Sequence, residues 1–245
     1  MQSPATLLDY ERLEGAVPVA YAPGLADHAE ELRYLLEVGV EALSEVLDVE
    51  PPVLEALLVA NRDWERAPRE NSRSYPPGLP YFTRSVRPPA LVLPETLSPT
   101  IRPRTRVTHS LVVWHELAHA LLFQKEVVRT PAWLREFVPQ AASAATARRA
   151  TLPLEGHLAE VDREPGFTLR SLKGPTNLER QMAFQNLLLA LGAAALEEFG
   201  EGFLQRLIHA VWDETDVVDE ERAEELLANA LGPGGRAWLR SRSEF

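Results

Sequence analysis

The run His115-Glu116-Leu117-Ala118-His119 sets two imidazoles and a carboxylate at the spacing that metal-assisted hydrolysis needs. On a helix, residues four apart share one face about one turn from each other, so His115 and His119 can each aim a ring nitrogen at a single tetrahedral Zn²⁺. Two ligands alone hold a metal weakly. Glu136, in Pro131-Ala132-Trp133-Leu134-Arg135-Glu136, can bring a third from a second helix and leave one position to water, the open coordination of a catalytic zinc. Glu116 follows the first ligand and is rotated from it by roughly 100° around the helix, near the ion without ligating it. That is the place of a general base, which takes a proton from a water whose pKa the metal lowers to about 7 and returns it to a leaving amine.

The surrounding elements must deliver these groups to one point. Val107 to Trp114 and Ala120 to Phe123 extend the metal segment into one apolar helix, in which two histidines and a glutamate without an ion would be costly to bury. Thr105 or Thr108 can cap its start. Val127 to Pro131 turns the chain back, and Trp133 to Arg149 reads as the helix that carries Glu136. Gln140, one turn beyond Glu136, is either a partner that fixes the tautomer of a ligand histidine or an ordinary exposed glutamine.

His115 to His119 together with Pro131-x-Trp133-Leu134-x-Glu136 resembles the gluzincin metallopeptidases, in particular the peptidase MA-like branch related to the zinc aminopeptidases, where a Trp-Leu-x-Glu segment delivers the third ligand. The order of elements is similar too: Val17 to Tyr21 before a long helix, Ala90 to Pro94 before the metal helix, and a helical tail ending near Leu231-Gly232. The resemblance implies a zincin-like α+β fold, Zn²⁺ held by His115, His119 and Glu136, Glu116 as base, and a peptide or protein as substrate. Two positions depart from the family. Phe137 stands where a glycine usually follows the ligand glutamate, which would narrow the cleft. No tyrosine occurs after Tyr81, whereas relatives use one downstream to stabilise the oxyanion. Counting back from Phe199-Gly200 puts Gln185 near that position, with His157 and His209 as the other candidates. Each of the three reads equally as a surface or packing residue.

Composition narrows the rest. At 245 residues and 45% hydrophobic, the chain can bury a full core. It has no cysteine, so His and carboxylate ligation is the only zinc chemistry it offers. Residues 1–10 lack a basic segment followed by a long apolar one, and no apolar stretch is long enough to span a bilayer, so a soluble cytoplasmic protein without a membrane partner is expected. The net charge of −11 argues against nucleic acid as a partner. Five arginines (Arg84, Arg87, Arg102, Arg104 and Arg106) nevertheless face one acid, Glu95, between positions 84 and 106. They form a solvated basic face, or a cleft rim that favours acidic substrates or a C-terminal carboxylate.

Hydrophobic patterning predicts strands at 16–21, 53–59, 81–83 and 90–93 and an amphipathic helix from Ala26 to Leu47. Prolines flank Ala90 to Leu93, which suits an edge strand beside the cleft. Residues 68–80 read as a loop and residues 152–174 as an irregular flap. Helices follow at Leu178 to Phe199, Gly202 to Trp212 and Glu220 to Leu231, closed by Gly232-Pro233-Gly234-Gly235. The expected architecture is α+β: a small mixed sheet within residues 1–104 and the metal helices with a helical lobe in 105–245, forming one catalytic unit.

Three functions are compatible with these residues. The first is a zinc-dependent peptidase. The second is a catalytically silent zinc-binding or interaction module that kept its metal and lost its oxyanion donor. The third is a regulatory protease that cuts one intracellular protein.

Overall fold

The computed structural model describes residues 9–70, 76–125, 128–160, 168–169 and 177–243. The early part of the chain builds one sheet from β1 (Glu11–Leu13), β2 (Val19–Tyr21), β3 (Glu55–Val59), β4 (Tyr81–Thr83) and β5 (Ala90–Pro94), in the order β1-β2-β3-β5-β4. β2, β3 and β5 run parallel, with β1 and β4 antiparallel at the two sides. Parallel neighbours need a crossover, and α1 (Ala26–Leu47) supplies it between β2 and β3. Its buried Leu32, Leu35, Leu36, Val40, Leu43 and Leu47 recur at helical spacing.

Both faces of the sheet are covered, and the period of two decides which residue faces which layer. Val19, Tyr21, Ala56, Leu58, Leu91 and Leu93 join the helices in the main core. Ala20, Leu57, Val59, Tyr81 and Val92 face the other way, onto Trp64 of a 3₁₀ turn at Asn61–Arg66. Fully covered strands read as continuous apolar runs, as β3 and β5 do.

The edge strand is not where the prolines place it. β5 pairs with β3 on one side and β4 on the other, so it lies inside the sheet. The prolines sit at its ends, where they cost no ladder bond: the Pro89 carbonyl accepts from the Glu55 amide, and beyond Pro94 the Glu95 amide donates to the Val59 carbonyl. The edge belongs to β4, three residues long, which returns antiparallel beside β5.

The rest is helical: α2 (Arg106–Leu122), α3 (Ala132–Arg149), α4 (Leu154–Glu160), α5 (Leu178–Phe199), α6 (Gly202–Trp212), α7 (Glu220–Leu231) and α8 (Gly235–Arg240). Of these, α4 lies within the stretch expected to be an irregular flap, and α8 follows the glycines expected to end the chain's helices. Residues 161–167 and 170–174 of the expected flap, and 71–75 of the expected loop, lie outside the described residues, as does the chain start at 1–8. Among the described residues no helix is long and apolar enough to cross a membrane.

Two close approaches fix the helices that matter. α1 meets α2 at Gly39, where an added Cβ would stand 2.5 Å from Trp114 Cδ1, and the Trp114 indole N–H donates to the Leu35 carbonyl at 2.8 Å. α5 meets α3 at Gly192, where a Cβ would stand 2.8 Å from the Ala141 Cα. One continuous core runs from Val17 to Leu239 and includes residues of α1, α2, α3, α5, α6 and α7.

Candidate metal centre

Thr105 caps α2: its hydroxyl accepts from the Thr108 amide at 3.2 Å. From that start the helix runs without interruption through Phe123, whose amide closes on the His119 carbonyl. His115 and His119 therefore project one turn apart, with ring centroids 4.7 Å apart and planes nearly perpendicular. Their Nε2 atoms stand 3.1 Å from each other.

α3 brings the third group. Trp133 and Leu134 are almost fully buried, and the Trp133 indole N–H donates to Glu220 Oε2 of α7 at 2.6 Å, which ties the start of α3 to the C-terminal helices. Phe137 also points into the core, 6.2 Å from Phe203 of α6. It does not narrow the cleft, because the helix turns it away from the face that carries Glu136. Pro139 lies inside α3 and has no N–H for the Arg135 carbonyl, so the backbone ladder is interrupted at the turn of Glu136. Glu136 Oε2 reaches 3.4 Å from His115 Nε2 and 3.3 Å from His119 Nε2.

His115, His119 and Glu136 thus converge as a group that can hold a metal ion. Two neutral imidazoles and a carboxylate are a donor set for a divalent cation. Burial works against ionising Glu136, yet the adjacent His119 and His115 hold its carboxyl well below the usual range. Burial likewise opposes a charge on His119, but Glu136 raises its pKa above the ordinary value. Without an ion, these groups pair with each other; with one, the histidine must release its proton.

Glu116 is half-buried beside the group. Burial pushes its carboxyl above the ordinary range, against the pull of His115, His119 and the Phe82 backbone N–H of β4. A carboxylate raised in this way is a better proton acceptor near neutral pH than an exposed one. The link from β4 to Glu116 is not legible in the sequence, since it depends on which strand forms the edge.

Gln185 on α5 donates from Nε2 to Glu136 Oε2 at 2.9 Å, and its Oε1 accepts from Gln140 Nε2 at 2.6 Å. Gln140 therefore acts on the carboxylate through Gln185 and is bonded to neither histidine. Among the described residues His115 Nδ1 has no hydrogen-bond partner. Of the two histidines considered as oxyanion donors, His209 is exposed on α6, 3.9 Å from Asp48 Oδ2. His157 on α4 is buried, its Nδ1 has no partner among the described residues, and it lines a small pocket with His115 and Glu116.

His115, His119, Glu136 and Glu116 open on a cleft of about 520 Å³, with Tyr81 and Phe82 of β4 on one wall and Leu134 and Val138 of α3 on another. The pocket of His157, about 120 Å³, adjoins it toward the start of α2 and shares Leu79, Pro80 and Gln185. At the other end Phe123 stacks on Phe82 at 5.8 Å and lies 6.3 Å from His119. No protein-family model matches the chain, and no curated protein matches it.

Proposed function

We propose that the chain is a zinc-dependent peptidase of the gluzincin kind, with a zincin-like arrangement of β4, α2 and α3 around the ion. One observation carries the proposal. Ligand atoms about 2.0–2.1 Å from a tetrahedral zinc stand roughly 3.3–3.4 Å apart, and the three atoms here are separated by 3.1, 3.3 and 3.4 Å. When bound, zinc supplies Lewis-acid polarisation of a carbonyl and lowers the pKa of water to about 7.

The chain's own groups supply the remainder. His115, His119 and Glu136 hold the ion on rigid helices, with Gln185 orienting the carboxylate. β4, an edge strand whose Phe82 N–H bonds Glu116, offers the rest of its outer side, unpaired among the described residues, to an extended peptide backbone, which aligns it across the cleft. Glu116 accepts a proton from the attacking water at its carboxylate oxygen and delivers it to the leaving nitrogen. An oxyanion donor adds about 100- to 1000-fold in rate where one is present; His157 lines the pocket next to Glu116, whereas the Gln185 amide already serves Glu136.

That engagement of Gln185 is the observation that favours the second reading, a metal-binding module without turnover. Metal content and cleavage separate the two. Chelator-free wild-type protein is expected to carry about one zinc per chain by elemental analysis, and Glu136→Ala to lose most of it. Glu116→Gln is expected to keep the zinc and lose cleavage of a quenched-fluorescent peptide library. Wild-type protein that takes up no zinc on reconstitution, or a Glu116→Gln protein of undiminished rate, would overturn the peptidase. Stoichiometric zinc with no cleavage of peptides or of any cellular protein leaves the silent module.

A further inference from the structure

The chain carries a net charge of −11, and several of its arginines are committed to carboxylates. Arg33 bonds Glu37 at 2.6 Å, Arg149 bonds Glu201 at 2.7 Å and Arg222 bonds Glu214 at 2.6 Å. The arginines on the cleft are different. Arg84, Arg129 and Arg135 all line it and are exposed. The Arg84 backbone N–H donates to Glu70 Oε1 at 2.9 Å, but its guanidinium comes no closer than 4.0 Å to that carboxylate, the Arg135 guanidinium no closer than 3.9 Å to Glu136, and Arg129 has no ion pair among the described residues. Of the five arginines clustered between 84 and 106, Arg84 is the one on this cleft, Arg102 borders the adjoining pocket, and Arg87, Arg104 and Arg106 are exposed elsewhere.

The charge balance of the cleft follows. Among the described residues its acids are Glu70, Glu116 and Glu136. A divalent ion offsets the last two, which leaves three arginines against Glu70 in a protein that is otherwise acidic. Part of the excess lies past the C-terminal end of α2, where the Arg84 guanidinium lies 5.2 Å over the Phe123 ring and Lys125 stands 4.4 Å over Trp212. An arginine stacked on an aromatic face keeps its planar fork directed outward for a carboxylate.

We propose that this cleft carries a subsite for acidic side chains of an extended peptide, read by Arg84 over the ring of Phe123 and by Arg129 and Arg135 of the cleft lining. The subsite rests on the peptidase reading, since it places those acidic residues to one side of the bond that is cut. It makes the substrate class an acidic peptide, and the adjoining pocket beside His157 accommodates the residues on the other side of the metal.

The test separates recognition from turnover. Three fluorescein-labelled dodecapeptides of one sequence, carrying three glutamates, three glutamines or three lysines at the same positions, are titrated into zinc-loaded Glu116→Gln protein and followed by anisotropy. The glutamate peptide is expected to bind about tenfold more tightly than the glutamine peptide, with the lysine peptide weakest and the difference shrinking at high salt. Arg84→Glu/Arg129→Glu is expected to abolish that preference, and Arg104→Glu, outside the cleft, to leave it intact. If the double reversal does not fold, Arg129→Gln alone is expected to reduce the preference about threefold. Equal binding of the three peptides, or a preference that survives the reversal, overturns the subsite. Cleavage of the same peptides by wild-type enzyme distinguishes the two proposals. Charge-selective binding with no cleavage of these peptides, of the library or of any cellular protein keeps the subsite and removes the peptidase; cleavage of all three at equal efficiency keeps the peptidase and removes the subsite.

Discussion

Gln185 donates to Oε2 of Glu136 at 2.9 Å, and that same oxygen is the one that faces His115 and His119. The glutamine therefore fixes the carboxylate rotamer in which all three metal-binding atoms converge, and Gln140 fixes the glutamine in turn. Groups in this position commonly change metal affinity by about 10- to 100-fold. Gln185→Leu is expected to weaken zinc binding by that factor in competition with a chromophoric chelator, and Gln140→Leu by a smaller factor. An unchanged affinity in Gln185→Leu would mean that packing of α3 alone holds Glu136 in place.

The contrast between His119 and Gln185 shows what a sequence can convey about such a site. His115 and His119 lie on one helix, so their geometry follows from the spacing of four. Glu136 is legible through the buried Trp133 and Leu134 that set the phase of its helix. Gln185 is 49 residues from Glu136, and nothing local encodes which atom its amide meets. The sheet divides in the same way. The strands announce themselves by their apolar runs, but whether β4 or β5 takes the edge depends on an antiparallel return that no periodicity records. β1 has three residues, too few for alternation to stand out, and α4 is hidden by the proline and glycine around it.

Gly39 sets the distance between α1 and α2, and so the depth at which His115 sits. A methyl group there would stand 2.5 Å from Trp114 Cδ1 and 2.9 Å from Leu117 Cδ2, both on the buried side of the metal helix. Gly39→Ala must push the indole off the Leu35 carbonyl or move the helix. Overpacking of this kind costs about 1–3 kcal/mol, measurable as a lower midpoint in urea. A midpoint equal to that of wild type would show that Trp114 has an alternative rotamer at no cost.

Acid should weaken the fold through its buried histidines. Burial lowers the pKa of His157, with Glu160 opposing, and that of His109, with Glu31 opposing. The unfolded chain therefore takes up protons first as the pH falls, so stability is full above about 6.5 and declines as the pH passes down through that value toward the folded pKa. His157→Gln is expected to lose less stability than wild type between pH 7.5 and 5.5, measured by urea denaturation of the metal-free protein. Parallel curves for the two proteins would assign the acid sensitivity to other groups.

Metal removal gives the last prediction. His119 and Glu136 come from two different helices, so an ion that bonds both favours the folded state over the unfolded one. Ligand present at about 1000 times its dissociation constant stabilises by about 4 kcal/mol. A chelator is therefore expected to lower the thermal midpoint of wild-type protein by several degrees, reversibly on return of zinc. Glu116→Gln should respond as wild type does, because Glu116 is outside the group of ligands. Glu136→Ala should respond much less, because its midpoint already lacks the contribution of the third ligand. A chelator effect of full size in Glu136→Ala would place the stabilising ion at another site and detach it from the cleft.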